Sequence, residues 1–323
     1  MTKRDFPSIR FRILQISAAA VIAAVLGQAQ QSSSPAEECR SPWGPGDQRG
    51  AVNRLTPAKT LEAARLIKQG KIYQLGRVYE AGMPLYGSRS YNLVIAHMRG
   101  PLGSNHLTWN EEYVAAQLGQ VGTQFDGLGH IGINGRFFNC NEARDFVRAE
   151  GLTKLGVENV GVFFTRGVLI DVAGYKGVAR LEKGYEITVA DVQGALAKQG
   201  VSLREADAVF LHTGWGSLWM KDNATYASGM PGIGLAAGAW LVDQKVVLVG
   251  SDTSGIEVGP NPAHPQAEAL VHQLMITRNG IYFLENLDTS ELARDKVYEF
   301  AFVFSPLKLK GGTGSPGNPI AVK

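Results

Sequence analysis

Apolar and polar positions change rhythm several times along the chain, and each change marks an element or a break. The first long apolar run, residues 13–27 (ILQISAAAVIAAVLG), is followed by a polar, turn-rich stretch over 30–55. At Thr56-Pro57 a helix is predicted: Thr is a good N-cap, Pro is tolerated at the first helical position, and Leu61, Ala64, Leu66 and Ile67 recur at helical spacing until Gly70. Residues 72–78 read as a short strand. The stretch 82–135 is irregular and studded with glycine, with helical propensity only over 111–118. From residue 162 onward, apolar runs at 162–164, 167–172, 207–213, 246–252, 281–284 and 298–304 predict strands, and 188–199, 235–243 and 267–276 predict helices. Thr188 and Asp191 stand at capping-box spacing ahead of the first of these helices. Apolar strands alternating with helices predict a mixed α/β fold whose sheet is at least partly covered on both faces. No linker divides the chain after residue 56, so a single domain over 56–323, a mixed sheet with flanking helices, is expected behind an extended N-terminal arm at 30–55.

Composition narrows the class. With 45% hydrophobic and 19% charged residues among 323, and no internal repeat, the chain is neither disordered nor fibrous. Its 39 glycines, against a usual share of roughly 7%, call for many tight turns. The formal charge of +3 matters mainly through where it lies. Lys3, Arg4, Arg10 and Arg12 precede the apolar run with Asp5 as the one acid, and Gly27 and Ala29 offer small residues for a signal-peptidase cut. Residues 1–29 therefore read as a secretory signal peptide, because an apolar run of about 15 residues falls short of the ~20 that span a bilayer; an uncleaved membrane anchor is the alternative. Its removal leaves a formally neutral chain with no basic stripe for nucleic acid and no second apolar run of membrane length. An exported protein, periplasmic or secreted, is expected. In an oxidising compartment Cys39 and Cys140 can pair, and two separate thiols are the alternative.

Candidate chemistry begins in the glycine-lined segment 122–130 (GTQFDGLGH). Glycines around Asp126 and His130 let backbone approach a ligand, and a carboxylate with an imidazole is a donor set suited to a divalent transition ion. The spacing alone is also met by a loop Asp that caps a turn beside a satisfied His. His272 lies in an apolar helical segment (ALVHQLMI) and Glu285 ends an apolar strand, and a polar group in either place needs a partner. They read either as metal ligands or as a core histidine bonded to a carbonyl and a solvated strand end. His106, Trp109, His212 and Trp215 are candidates for a substrate pocket, with core packing as the other explanation. The absence of G-x-S-x-G disfavours a serine hydrolase.

Segment 120–130 resembles the H-x-G-T-H-x-D-x-P-x-H signature of the cyclase family of metal-dependent hydrolases, which includes kynurenine formamidase and isatin hydrolase. The resemblance continues in family order through Trp43-Gly44-Pro45-Gly46-Asp47, Leu169-Ile170-Asp171, Thr213-Gly214-Trp215, Val249-Gly250-Ser251-Asp252, His272-Gln273-Leu274-Met275, Glu285-Asn286-Leu287 and Gly314-Ser315-Pro316. It implies the family's swivelling β/β/α fold and a metal set of Gln124, Asp126, His130, His272 and Glu285, with Glu285 or His272 also able to move a proton. It further implies one or two divalent ions, manganese or zinc, per subunit, and a homodimer or homotetramer with 30–55 as a segment to exchange. Gln120 and Gln124 depart from the signature's first two imidazoles, Leu128 from its Pro, and Asn134 from a downstream His that handles protons in many members. A Gln carbonyl is a harder, weaker donor than imidazole, which shifts preference from zinc towards manganese. The implied activity is arylformamidase-type: metal-activated water cleaving an amide, lactam or ester of a small substrate, aromatic ones included. A non-catalytic periplasmic protein that binds a small molecule or metal on the same fold is the alternative, motivated by the replaced imidazoles.

Overall fold

The apolar runs of the second half become neighbouring strands. The computed structural model describes residues 1–2 and 40–323. Numbered in chain order, its principal strands are β1 (Ile72–Gln74), β2 (Tyr91–Leu102), β3 (Leu107–Ala116), β4 (Gln124–Asp126), β5 (Phe163–Asp171) and β6 (Ala208–His212). They continue with β7 (Leu248–Ser251), β8 (Tyr282–Glu285), β9 (Glu299–Phe304), β10 (Gly314–Pro316) and β11 (Ile320–Val322). Nine of them form one sheet in the order β1-β11-β9-β5-β6-β7-β8-β4-β10. The central four, β5 to β8, are parallel, and the flanking pairs are antiparallel. Leu169, Ile170, Val209, Phe210, Val249 and Phe283 have no exposed surface, as expected where helices cover both faces of a parallel sheet.

Local chemistry explains the helix starts. In α1 (Pro57–Ala64) the Thr56 hydroxyl accepts the Lys59 N–H at 3.2 Å, with Pro57 at the first position. In α2 (Val189–Gln199) Thr188 and Asp191 form the reciprocal capping box. In α3 (Leu235–Asp243) Gly238 faces the helix that begins at Leu270, where a Cβ would stand 3.2 Å from Val271 Cγ1. That close approach seats the segment carrying His272.

Three expectations change. The stretch 82–135 contains the β2–β3 hairpin, and 111–118 is not helical: Tyr113 pairs with Val94 and Val114 with Leu93. Cross-strand pairing overrides a weak helical preference. The helix expected at 267–276 starts only at Leu270 and becomes a π-helix over Gln273–Arg278. Residues 40–55 pack against the body rather than extending from it: Ala51 and Val52 are buried in the main core, and the Tyr282 hydroxyl donates to the Arg49 carbonyl at 2.7 Å. Residues 40–323 belong to one compact unit. Cys140 is disulfide-bonded. Cys39 and, apart from its first two residues, the 1–29 leader lie outside the described residues. Among the described residues no helix is long and apolar enough to cross a membrane.

Candidate metal centre

Strand register brings the candidate ligands together. In the antiparallel pair β4–β8, Gln124 is opposite Glu285 and Asp126 is opposite Phe283. Opposed residues share a face and so do residues two apart, so Gln124, Asp126 and Glu285 project from the same side of the sheet. The helix at Leu270 lies over that side, with the His272 ring edge-on to Phe283 at 4.8 Å between centroids. His272 Nε2 stands 3.3 Å from Glu285 Oε1 and 3.7 Å from Asp126 Oδ2.

Neighbouring side chains fix each of these groups. The Gln124 amide nitrogen donates to Glu285 Oε2 at 2.7 Å and so holds that carboxylate in place. Glu257 accepts the N–H groups of Val271 and His272 at the helix start and also bonds His272 Nδ1. A carboxylate suits a helix N-terminus, and its bond to Nδ1 leaves Nε2 for the cavity. The Gln120 amide donates to Asp126 Oδ1 at 3.1 Å and lies 3.3 Å from His130 Nδ1. Arg89 decides that orientation: a guanidinium can only donate, and its Nη2 donates to Gln120 Oε1 at 3.2 Å. The nitrogen of Gln120 therefore faces Asp126 and His130, which makes His130 Nδ1 an acceptor and puts the neutral ring's proton on Nε2.

These bonds leave two atoms unused. Asp126 Oδ2 and Glu285 Oε1 are buried and have no hydrogen-bond partner, and they are the atoms that face His272 Nε2. Asp126, His272 and Glu285 each offer one ligand atom, all within 4.8 Å of one another. Unpaired buried carboxylate oxygens are costly, and a cation between them removes that cost. Three oxygen and nitrogen donors beside an open cavity are the pattern of a catalytic metal site. The residues present therefore fit a divalent ion.

Electrostatics agree. Burial and the nearby Asp126 charge push the Glu285 carboxyl above its usual range. Burial alone would lower His272, but its bond to Glu257 and the Glu285 carboxylate 3.3 Å away outweigh it and raise the imidazole to about 10. Burial, helped by His272 and Arg89, outweighs the Asp126 charge and lowers His130 below the usual imidazole range, which favours the neutral ring at pH 7. The centre opens into a cavity of about 590 Å³ whose wall also carries Tyr86, Arg89, Gln120, His130, Met230 and Ser254.

His130 lies in this cavity, its Nε2 3.8 Å from Asp126 Oδ1, outside the three-ligand group. The expected pocket residues lie elsewhere. His106 is exposed in the turn between β2 and β3, and Trp109 is on β3, because the hairpin stands away from the sheet as its own two-stranded unit. His212, at the end of β6, bonds Thr289 at 2.7 Å and lines a separate cavity with Arg77 and Asp252. Trp215 is buried, its indole donating to the Tyr226 carbonyl at 3.3 Å. Sequence reasoning missed Glu257 and Arg89. Neither stands at a fixed spacing from its partner, and only an acid in the small-residue run 250–259 hinted at the first.

Residues 73–258 match the model of the family named Cyclase. The chain belongs to the cyclase family. A solved structure described as a novel cyclase is 32% identical to this family member, covering 87% of this chain and 98% of that one, with a TM-score of 0.76. Isatin hydrolase A from Ralstonia solanacearum is 22% identical over 83% of this chain and 98% of that chain, with a TM-score of 0.57. Isatin hydrolase A from Labrenzia aggregata, bound to benzyl benzoate, is also 22% identical, over 78% and 93%, with a TM-score of 0.55. At that identity the two hydrolases share the fold of this cyclase-family chain. No curated protein matches it.

Proposed function

We propose that the chain is a metal-dependent hydrolase that cleaves the C–N or C–O bond of a small amide, lactam or ester. One observation carries this: two buried, unpartnered carboxylate oxygens converge with His272 Nε2 at the floor of a cavity of about 590 Å³, a size suited to a small molecule. Asp126, His272 and Glu285 would hold the divalent ion, manganese or zinc, which when bound supplies Lewis acidity to the carbonyl and acidifies a water. Glu285, held by Gln124 at the floor of the cavity, would be the group to take a proton from the attacking water. His130, neutral and carrying its proton on Nε2, is the donor for the departing atom. Glu257 and Gln124 keep His272 and Glu285 in place while this happens. Isatin hydrolases on the same fold support the class of reaction.

Export belongs to the same proposal, supported by the basic-then-apolar leader and by the disulfide at Cys140. A homodimer or homotetramer is supported by the β2–β3 ribbon, which among the described residues pairs with no other strand and exposes Leu93, Val94, Ile95, Leu107 and Tyr113. A lone two-stranded ribbon is marginal in water unless something covers it.

The test is metal analysis of the purified protein together with a panel of amides, lactams and esters. Metal-dependent turnover that Asp126→Asn abolishes is expected. A protein that binds a small aromatic ligand tightly, yet turns over nothing when metal-loaded, would instead support a binding protein on this fold.

A further inference from the structure

The wall of the metal cavity holds one cation besides the histidines, Arg89, and its bonding is incomplete. Arg89 is half-buried, and its guanidinium donates once, to the neutral Gln120 carbonyl. Among the described residues no carboxylate lies within 4.0 Å of it, and no other side-chain or backbone acceptor takes one of its remaining N–H groups. The other charged groups of this cavity are committed elsewhere. Glu257 is bonded to His272, Asp126 and Glu285 face the metal position, and Glu268 is exposed at the mouth. A guanidinium has five donors in a planar fork whose best partner is a carboxylate held at two points. Gln120 takes one of the five donors of Arg89, which lines the cavity.

We infer that Arg89 is a specificity-determining residue that receives an anionic group, a carboxylate, on the substrate. The inference rests on the hydrolase reading above, and it names the substrate class as a small acyl compound carrying a carboxylate near the scissile bond. Reach sets how near. Arg89 touches Gln120, and Gln120 touches the Asp126 oxygen that does not face the ion, so two hydrogen bonds separate the guanidinium from a metal-ligand carboxylate. A substrate spanning both places its carboxylate only a few bonds from the carbonyl under attack, as in an N-acyl amino acid or an acylated aminobenzoate. Gln120 makes this possible. Its carbonyl anchors Arg89 while its nitrogen serves Asp126, a double role for which a neutral imidazole has one donor and one acceptor on opposite edges of a rigid ring.

The experiment is calorimetric binding of benzoate and of benzamide to the full metal-loaded chain, repeated with Arg89→Gln and Arg89→Lys. Wild type should bind benzoate at least tenfold more tightly than benzamide. Arg89→Gln should remove that preference without changing metal content, and Arg89→Lys should keep part of it. Equal binding of the two probes by wild type overturns the inference whether or not the variants fold. A preference that survives Arg89→Gln belongs to the metal ion and overturns it as well. So does a drop in kcat that is the same for neutral and anionic esters with the benzoate preference intact, which would leave Arg89 as a holder of Gln120 only. Arg89-dependent benzoate binding by a chain that hydrolyses nothing would sink the hydrolase reading and leave the anion site standing.

Discussion

Glu285→Gln should stabilise the metal-free protein and destabilise the metal-loaded one. In the metal-free state Glu285 Oε1 and Asp126 Oδ2 are buried without hydrogen bonds, and burial and the repulsion between the two carboxylates outweigh the attraction of His272 Nε2 3.3 Å away. A glutamine keeps an oxygen for the Gln124 amide and removes the charge that favours protonated His272, so that an NH2 where Oε1 stood donates to Nε2 of the neutral ring, whose proton stays on Nδ1 towards Glu257. Satisfying a buried polar atom is worth about 1–3 kcal/mol. At roughly 2–4 °C per kcal/mol for a domain of this order, the metal-free variant should melt several degrees above metal-free wild type. Saturating metal reverses the order. An ion at about a hundred times its Kd adds about 2.7 kcal/mol to wild type, whereas the variant, lacking one of three ligands, gains much less. Melting curves with a chelator and then across a manganese or zinc titration show both limbs. A variant less stable than wild type under both conditions, or one stabilised by metal as much as wild type, would refute the assignment of these oxygens to an ion.

Glu257→Gln should lower metal affinity or activity by roughly 10–100-fold, the usual cost of losing the group that orients a histidine ligand; unchanged metal affinity and rate would show that His272 needs no such partner. Metal uptake should release protons, because His272, raised to about 10, must lose one to bind. Affinity therefore rises with pH across the neutral range, and calorimetry in buffers of different ionisation enthalpy counts the protons, with a count of zero contradicting the scheme. In the metal-free protein the raised His272 has the opposite linkage: its contribution to stability is complete below its ordinary 6.5 and is lost as pH rises through about 10. Thr188→Ala removes the capping box of α2 and should cost about 1 kcal/mol, with a lower Tm by circular dichroism and no change in metal binding.

Much of the fold was legible in the order of residues, because helix caps and buried parallel strands are local signals. Thr56-Pro57 and the Thr188/Asp191 box act through side chains on their own backbone. The β2–β3 hairpin was not legible. Its apolar residues are exposed on both faces and show no one-sided period, and its pairing joins residues with only the cross-strand register to align them. The candidate ligands were found in the sequence as types: Asp126, His272 and Glu285 are polar residues in apolar settings, and such residues need partners. What each does was decided only by the tertiary structure. Register sets Gln124 opposite Glu285, and the helix start at Leu270 carries His272, 15 residues beyond Glu257, onto the Glu257 carboxylate. Arg89 orients Gln120, and through it the proton of His130. Those roles depend on contacts between chain segments far apart in sequence, with directions and distances that residue order does not encode locally.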